Sequence, residues 1–220
     1  MNKRILAFSA ALLMTFASVG CSSKSGSSSS SAGKPGMFVS AERFEKDFGG
    51  VEDAESGPLL TISNTTAKAG GIAEVTLSVS NADKQWKMCG LHIIYPDVLK
   101  CILENEEERE PEYDTGDALK SAQGSVAREW QNNLPDDLTK SRMGSVFFTA
   151  LTSENGGGDG DIVTFRFRVP DNAKSGTVYN VDYYYSSNDK TKDMFSNEEN
   201  DPAFEKYAFS HWTGGTITVE

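Results

Sequence analysis

His92 and His211 are the only histidines in this 220-residue chain, and they lie far apart in sequence. His92 falls inside the strand-like phrase GLHIIY and His211 stands beside Trp212, just ahead of a terminal strand-like run. Neither has a second ligand or a nucleophile at a useful spacing, and no CxxC, HExxH, GxSxG or Walker-type loop occurs. Both therefore read as structural side chains. The acids Glu104, Glu106, Glu107, Glu108, Glu110 and Glu112 could supply the carboxylate pair of a glycoside hydrolase. Crowded into one polar stretch, they read instead as a solvated charge run. The glycine-rich segment Gly156 to Gly160 lacks the Lys-Ser/Thr of a phosphate loop and reads as a hairpin turn. Asn188, Asp189 and Asp193 offer oxygen ligands but lack the glycine at the sixth position of a calcium-binding loop. No catalytic residue, metal site or cofactor is assigned, and the chain reads as a non-enzyme.

The elements that would position any site begin after a targeting segment. Lys3 and Arg4 precede an apolar run from Ile5 to Phe16, and the small residues from Ala17 lead to Cys21. A run this short is a signal peptide over 1–20, because a spanning helix needs roughly 20 apolar residues. The cysteine after small residues resembles the lipobox of bacterial lipoproteins, although Ser18 stands where leucine is usual. That resemblance implies a lipidated Cys21 and a cell-surface chain anchored to the membrane. Residues 21–36 are a Ser/Gly-rich tether. Cleavage lowers the basic count from 21 to 19 against 32 acids, a mature net charge of −13. Such a balance argues against nucleic acid or an anionic membrane as partner. Cys89 and Cys101 lie in apolar stretches and read as two reduced core thiols.

Residues 37–57 form a lead-in in which Phe38, Phe44 and Phe48 share one face of a short helix, stopped by Gly49-Gly50. From residue 58 strand signals recur. Val75, Leu77 and Val79 alternate with polar residues, as do Phe165, Phe167 and Val169. At least eight such strands with few long helices indicate an all-β sandwich or barrel spanning 58–220. Residues 104–125 read as a polar surface excursion, and 186–210 as another with a helical turn near Phe204 to Phe209.

The order of these phrases resembles a known family. LLTISNTTAKAGGIAEVTLSVSN is followed by CGLHIIYPDVLKCILE, VFFTALTS, GDIVTFRFRVPDNAKSGTVYNV and a closing GGTITV. The series is similar to the cohesins, the receptor modules of cellulosomes, especially the divergent rumen-bacterium type. One residue of the family's Tyr-Asp-Pro-x-Val-Leu turn is missing at Tyr95-Pro96-Asp97-Val98-Leu99. The resemblance implies a jelly-roll sandwich of about nine strands with long loop and short helical insertions. It also implies binding of a dockerin, a small module that carries its own calcium. The docking face would be an outer sheet surface built from MCGLHII, SVAREW and SVFFTALT, with YNVDYYY at its side.

Strand parity assigns residues to that face. With Cys89, Leu91, Ile93 and Tyr95 inward, Met88, Gly90, His92 and Ile94 point outward. Arg128 and Trp130 join them. With Phe147 and Thr149 inward, Val146, Phe148 and Ala150 point outward, with Leu151 at the strand end. This outer set is apolar enough to expect a partner, or else a cover supplied by the chain's own 186–210 excursion. The alternative is a carbohydrate-binding sandwich for plant polysaccharide, with Trp130, Trp212 and Tyr183 to Tyr185 as an exposed aromatic row.

Overall fold

A computed structural model describes residues 41–130, 142–185 and 192–220, including their side chains except those of residues 41–43 and 130. Cys21, the signal peptide, the tether, Phe38, Asn188 and Asp189 lie outside the described residues.

The fold is the expected all-β jelly-roll sandwich. Its strands are β1 (Leu59–Ile62), β2 (Asn64–Ala67), β3 (Ile72–Ser80), β4 (Met88–Pro96), β5 (Lys100–Cys101), β6 (Leu103–Asn105) and β7 (Glu110–Pro111). They continue with β8 (Tyr113–Thr115), β9 (Ala122–Trp130), β10 (Met143–Thr152), β11 (Gly160–Arg168), β12 (Val178–Tyr184), β13 (Met194–Ser196) and β14 (Gly215–Val219). One sheet runs β1-β3-β11-β5, with β8 also on β11. The other runs β2-β14-β12-β4-β10-β9, with β13 also on β4.

The strictly alternating strands behave as their pattern demands. Ala73, Val75, Leu77 and Val79 of β3 face Cys89, Leu91, Ile93 and Tyr95 of β4 in one buried core. The chain switches sheets between β1 and β2 at Ser63, where the backbone of β14 passes so close that only a glycine fits. A Cβ on Gly215 would stand 2.2 Å from the Ser63 carbonyl oxygen. Cys89 and Cys101 are free and buried. Burial pushes the Cys89 thiol up to about 12, partly offset by a backbone hydrogen bond from Ala150, and pushes Cys101 up as well.

Two helices close the open side of the core. α1 (Ala41–Phe48) places Phe44 and Phe48 four residues apart on one face, 4.9 Å between ring centroids. Phe48 packs on Tyr185 and Phe209, and the Tyr185 hydroxyl donates to Asp47. The 41–48 part of the lead-in thus belongs to the sandwich rather than preceding it, because its two phenylalanines have an apolar surface to cover. α2 (Pro202–Ser210) starts where Asp201 accepts the Ala203 N–H, with Pro202 at the first turn. Its buried Phe204 and Phe209 meet Phe195 and Tyr183.

The surface excursion expected at 104–125 is corrected. The segment forms the β6–β7 hairpin, β8, a short 3₁₀ turn (Asp117–Leu119) and the start of β9, and it carries the chain between the sheets. Glu104, Glu106, Glu107 and Glu108 face water, while Pro111, Ala118 and Leu119 are buried and Tyr113 packs against the core. Inside this crossing, the Tyr95 hydroxyl donates to Glu129 Oε1 at 2.7 Å and Arg109 binds the other carboxylate oxygen. Glu129 is a buried acid held by a phenol and a guanidinium.

Candidate docking face

The strands expected to share one face lie side by side in the order β12-β4-β10-β9. Directly opposed residues share a face, so the register defines four outer rows. The first holds Trp130, Ser145, Ile94 and Asp182, and the second Arg128, Phe147, His92 and Tyr184. The third is Val126, Thr149, Gly90 and Met194, and the fourth Gly124, Leu151, Met88 and Ser196.

Half of this surface is closed. Ile94 and Tyr184 are buried and form a small second cluster with Met143, apart from the main core. Asp182 is buried beside them, and burial raises its carboxyl to about 7 although the Tyr183 N–H, donating to Oδ1 at 2.8 Å, pulls the other way. His92 is 7 % exposed, its Nδ1 2.8 Å from Oδ1 of the fully buried Asp193 and its ring 4.6 Å from Phe147. The same carboxylate oxygen accepts the His92 backbone N–H. Asp193 thus supplies the acceptor that a continuous strand would offer between the end of β12 and the start of β13. Gly90 is also buried, since a Cβ there would meet Met194 Cγ at 3.2 Å and Phe147 Cζ at 3.4 Å.

The opposite corner is open. Val126 is 52 % and Leu151 39 % exposed, and Phe147, Thr149 and Met88 are half-buried. Gly124 next to Leu151 has open space where its side chain would be. Arg128 borders this corner and is bound by Glu108 of the acidic hairpin through both its carbonyl and its carboxylate. The corner thus joins exposed apolar side chains to a charged rim.

Several expected site residues are corrected by this register. Val146, Phe148 and Ala150 do not point outward: they oppose Ile93, Leu91 and Cys89 and lie in the core. Both parities of SVFFTALT carry apolar side chains, so alternation alone could not choose between them. Phe147 and Thr149 take the outer face instead, with the Thr149 hydroxyl donating to the Cys89 carbonyl. Gly90, His92 and Ile94 do sit on the outer side but are covered. Met88, Arg128 and Leu151 are placed as expected and accessible. Trp130 holds its outward register position, though its side chain lies outside the described residues. Val126, Gly124, Phe147 and Thr149 were missed. The first two share the parity of Arg128, so their signal was present on β9, whereas Phe147 and Thr149 are fixed only by the pairing of β10 with β4.

The aromatic row of a sugar-binding platform is absent among the described residues. Trp212, Tyr183, Tyr184 and Tyr185 are all buried, within stacks such as Tyr183 on Trp212 at 4.3 Å. No group of acidic, cysteine and histidine side chains suited to a metal ion occurs among the described residues.

Comparison with known proteins agrees with the fold. The family profile described as "Cohesin domain" matches residues 59–199. A type III cohesin module from the cellulosomal ScaE cell-surface anchoring scaffoldin of Ruminococcus flavefaciens is 26% identical with a TM-score of 0.62. That alignment covers 76% of this chain and 89% of the other. A type I cohesin–dockerin complex from Clostridium thermocellum aligns at 16% identity and TM-score 0.51, covering 75% of this chain and 100% of that one. The third ScaC cohesin of Acetivibrio cellulolyticus, solved with the ScaB dockerin, aligns at 18% and 0.50, covering 74% and 98%. A search of curated proteins found no match.

Proposed function

The chain belongs to the cohesin family, and from that premise we propose that it is a non-catalytic receptor that docks dockerin-bearing enzymes or scaffold proteins at the cell surface. The observation that carries this reading is the open corner around Val126, Thr149, Leu151 and Gly124, an apolar patch on the four-strand face. Helices laid on such a surface gain most of their affinity from a few buried anchors. The proposed anchoring groups on this side are Val126, Phe147, Leu151 and Met88, with Arg128 on the rim. Calcium in this scheme belongs to the dockerin. Lipidation at Cys21 would hold the receptor to the membrane, and residues 22–36 would space it from the lipid.

The full mature chain, immobilised and titrated with the calcium-loaded dockerins of its own organism, tests this directly. At least one should bind, and chelation of calcium should release it. Gly124→Trp sharpens the test. Because nothing lies within 4 Å of a Cβ at that position, the indole projects into the docking space without disturbing the fold. Affinity should fall at least about tenfold. If the complete dockerin set fails to bind, the receptor reading is wrong. Unchanged affinity in Gly124→Trp would move the docking surface elsewhere.

A further inference from the structure

At one end of the sandwich, two turns flank an open cleft of about 860 Å³. This lies within the range of about 300–1,000 Å³ typical of small-molecule sites. Its apolar lining includes Tyr95, Leu99, Pro170 and Tyr179. Its polar lining is chiefly cationic, with Lys100, Arg142 and Lys174 against a single acid, Asp97. In a chain of net charge −11 this is a local reversal of sign.

Two of the three cations, Arg142 and Lys100, are tied to Asp97. Asp97 Oδ2 lies 3.1 Å from Arg142 Nε, which leaves the terminal nitrogens of that guanidinium free of Asp97. The Asp97 carbonyl accepts Lys100 Nζ at 3.1 Å, and the Asp97 N–H donates to the Arg142 carbonyl at 2.8 Å. Arg142 is held in the left-handed region at φ 55°, where glycine would be unstrained. Across the cleft, Lys174 rides on a turn fixed by the Ala173 N–H to the Pro170 carbonyl and the Gly176 N–H to the Val219 carbonyl. The Lys174 ammonium makes no hydrogen bond or ion pair among the described residues.

We propose that this cleft binds a compact organic oxyanion of sugar size, a carboxylate or phosphate borne on a ring. The lysines and Arg142 would take the charge, and Tyr179, Pro170 and the Leu99 floor the ring. Arginine and lysine in a shared concavity suit either oxyanion. The cleft is separate from the docking corner, so the inference does not depend on dockerin binding.

Calorimetric titration of the full mature chain with glucuronate, glucose 6-phosphate, inorganic phosphate and neutral glucose tests it. At least one charged sugar should bind saturably while glucose does not, and the responding member identifies carboxylate or phosphate as the source. Lys174→Glu should weaken that binding at least about tenfold with an unchanged melting temperature, since its exposed side chain supports nothing else. Absence of binding by both charged sugars overturns the proposal, as does equal binding of glucose or an unaffected Lys174→Glu. Inorganic phosphate binding as tightly as glucose 6-phosphate overturns the part played by the apolar walls.

Discussion

Phe148 and Leu151 lie three residues apart on β10, yet their truncations should fail in different assays. Phe148 is fully buried, with its ring 5.7 Å from Tyr113 and 6.2 Å from Phe165, both edge-on. Replacing a core phenylalanine by alanine costs about 3–5 kcal/mol, including the cavity left behind. At about 2–4 °C per kcal/mol for a domain of this size, Phe148→Ala should lower the melting temperature by about 6–20 °C. Leu151 retains 39% of its surface in water. Full burial of a leucine contributes about 2–3 kcal/mol, so covering that remainder on docking is worth about 1 kcal/mol. Leu151→Ala should therefore weaken dockerin binding about fivefold and shift stability by no more than about 0.5 kcal/mol. Leu151→Asp should weaken binding further, because the carboxylate must be desolvated. Thermal denaturation and a dockerin titration on each variant decide the matter. A Phe148→Ala protein of undiminished stability but impaired docking would show that the β10 register is inverted.

Other perturbations follow from the buried polar groups. Arg109→Ala removes the guanidinium that binds the buried Glu129 carboxylate and should cost about 2 kcal/mol. This lies below the about 3–5 kcal/mol of a fully buried pair because the guanidinium is one-third exposed. Adding Glu129→Gln should recover part of the loss in denaturant titrations. Asp182 has its folded value raised to about 7 from an ordinary 3.8, so its favourable contribution is complete below about 3.8 and is lost as pH rises through about 7. Stability should rise as pH falls across that window, Glu205 acting in the same sense through its own raised value, and Asp182→Asn should flatten the rise. Cys89 and Cys101, buried and with raised thiol values, should resist a disulfide reagent at about pH 8 in the native chain and react once it is unfolded.

The sandwich was legible because its central strands obey a period of two on one face only. Val75, Leu77 and Val79 leave no choice of register, and neither do Phe165, Phe167 and Val169. The site was less legible for three physical reasons. Phe147 and Phe148 put aromatic bulk on both sides of β10, so parity had to come from pairing with β4 rather than from the strand itself. Burial of His92 depends on Asp193, which lies 101 residues away and whose approach no local pattern announces. In the 104–125 crossing the glutamates drown out Pro111, Tyr113, Ala118 and Leu119, which are too sparse to show a period yet sufficient to hold it to the core.

The doubly partnered rim of β4 has a consequence for how this molecule tolerates change. β12 ends opposite His92 and β13 resumes opposite Gly90, with an aspartate oxygen bridging the seam. Ladder continuity is therefore indifferent to the number of residues spliced between positions 185 and 192. A change of length there, like a hem let out, would leave the weave of β4 with its two partners in register.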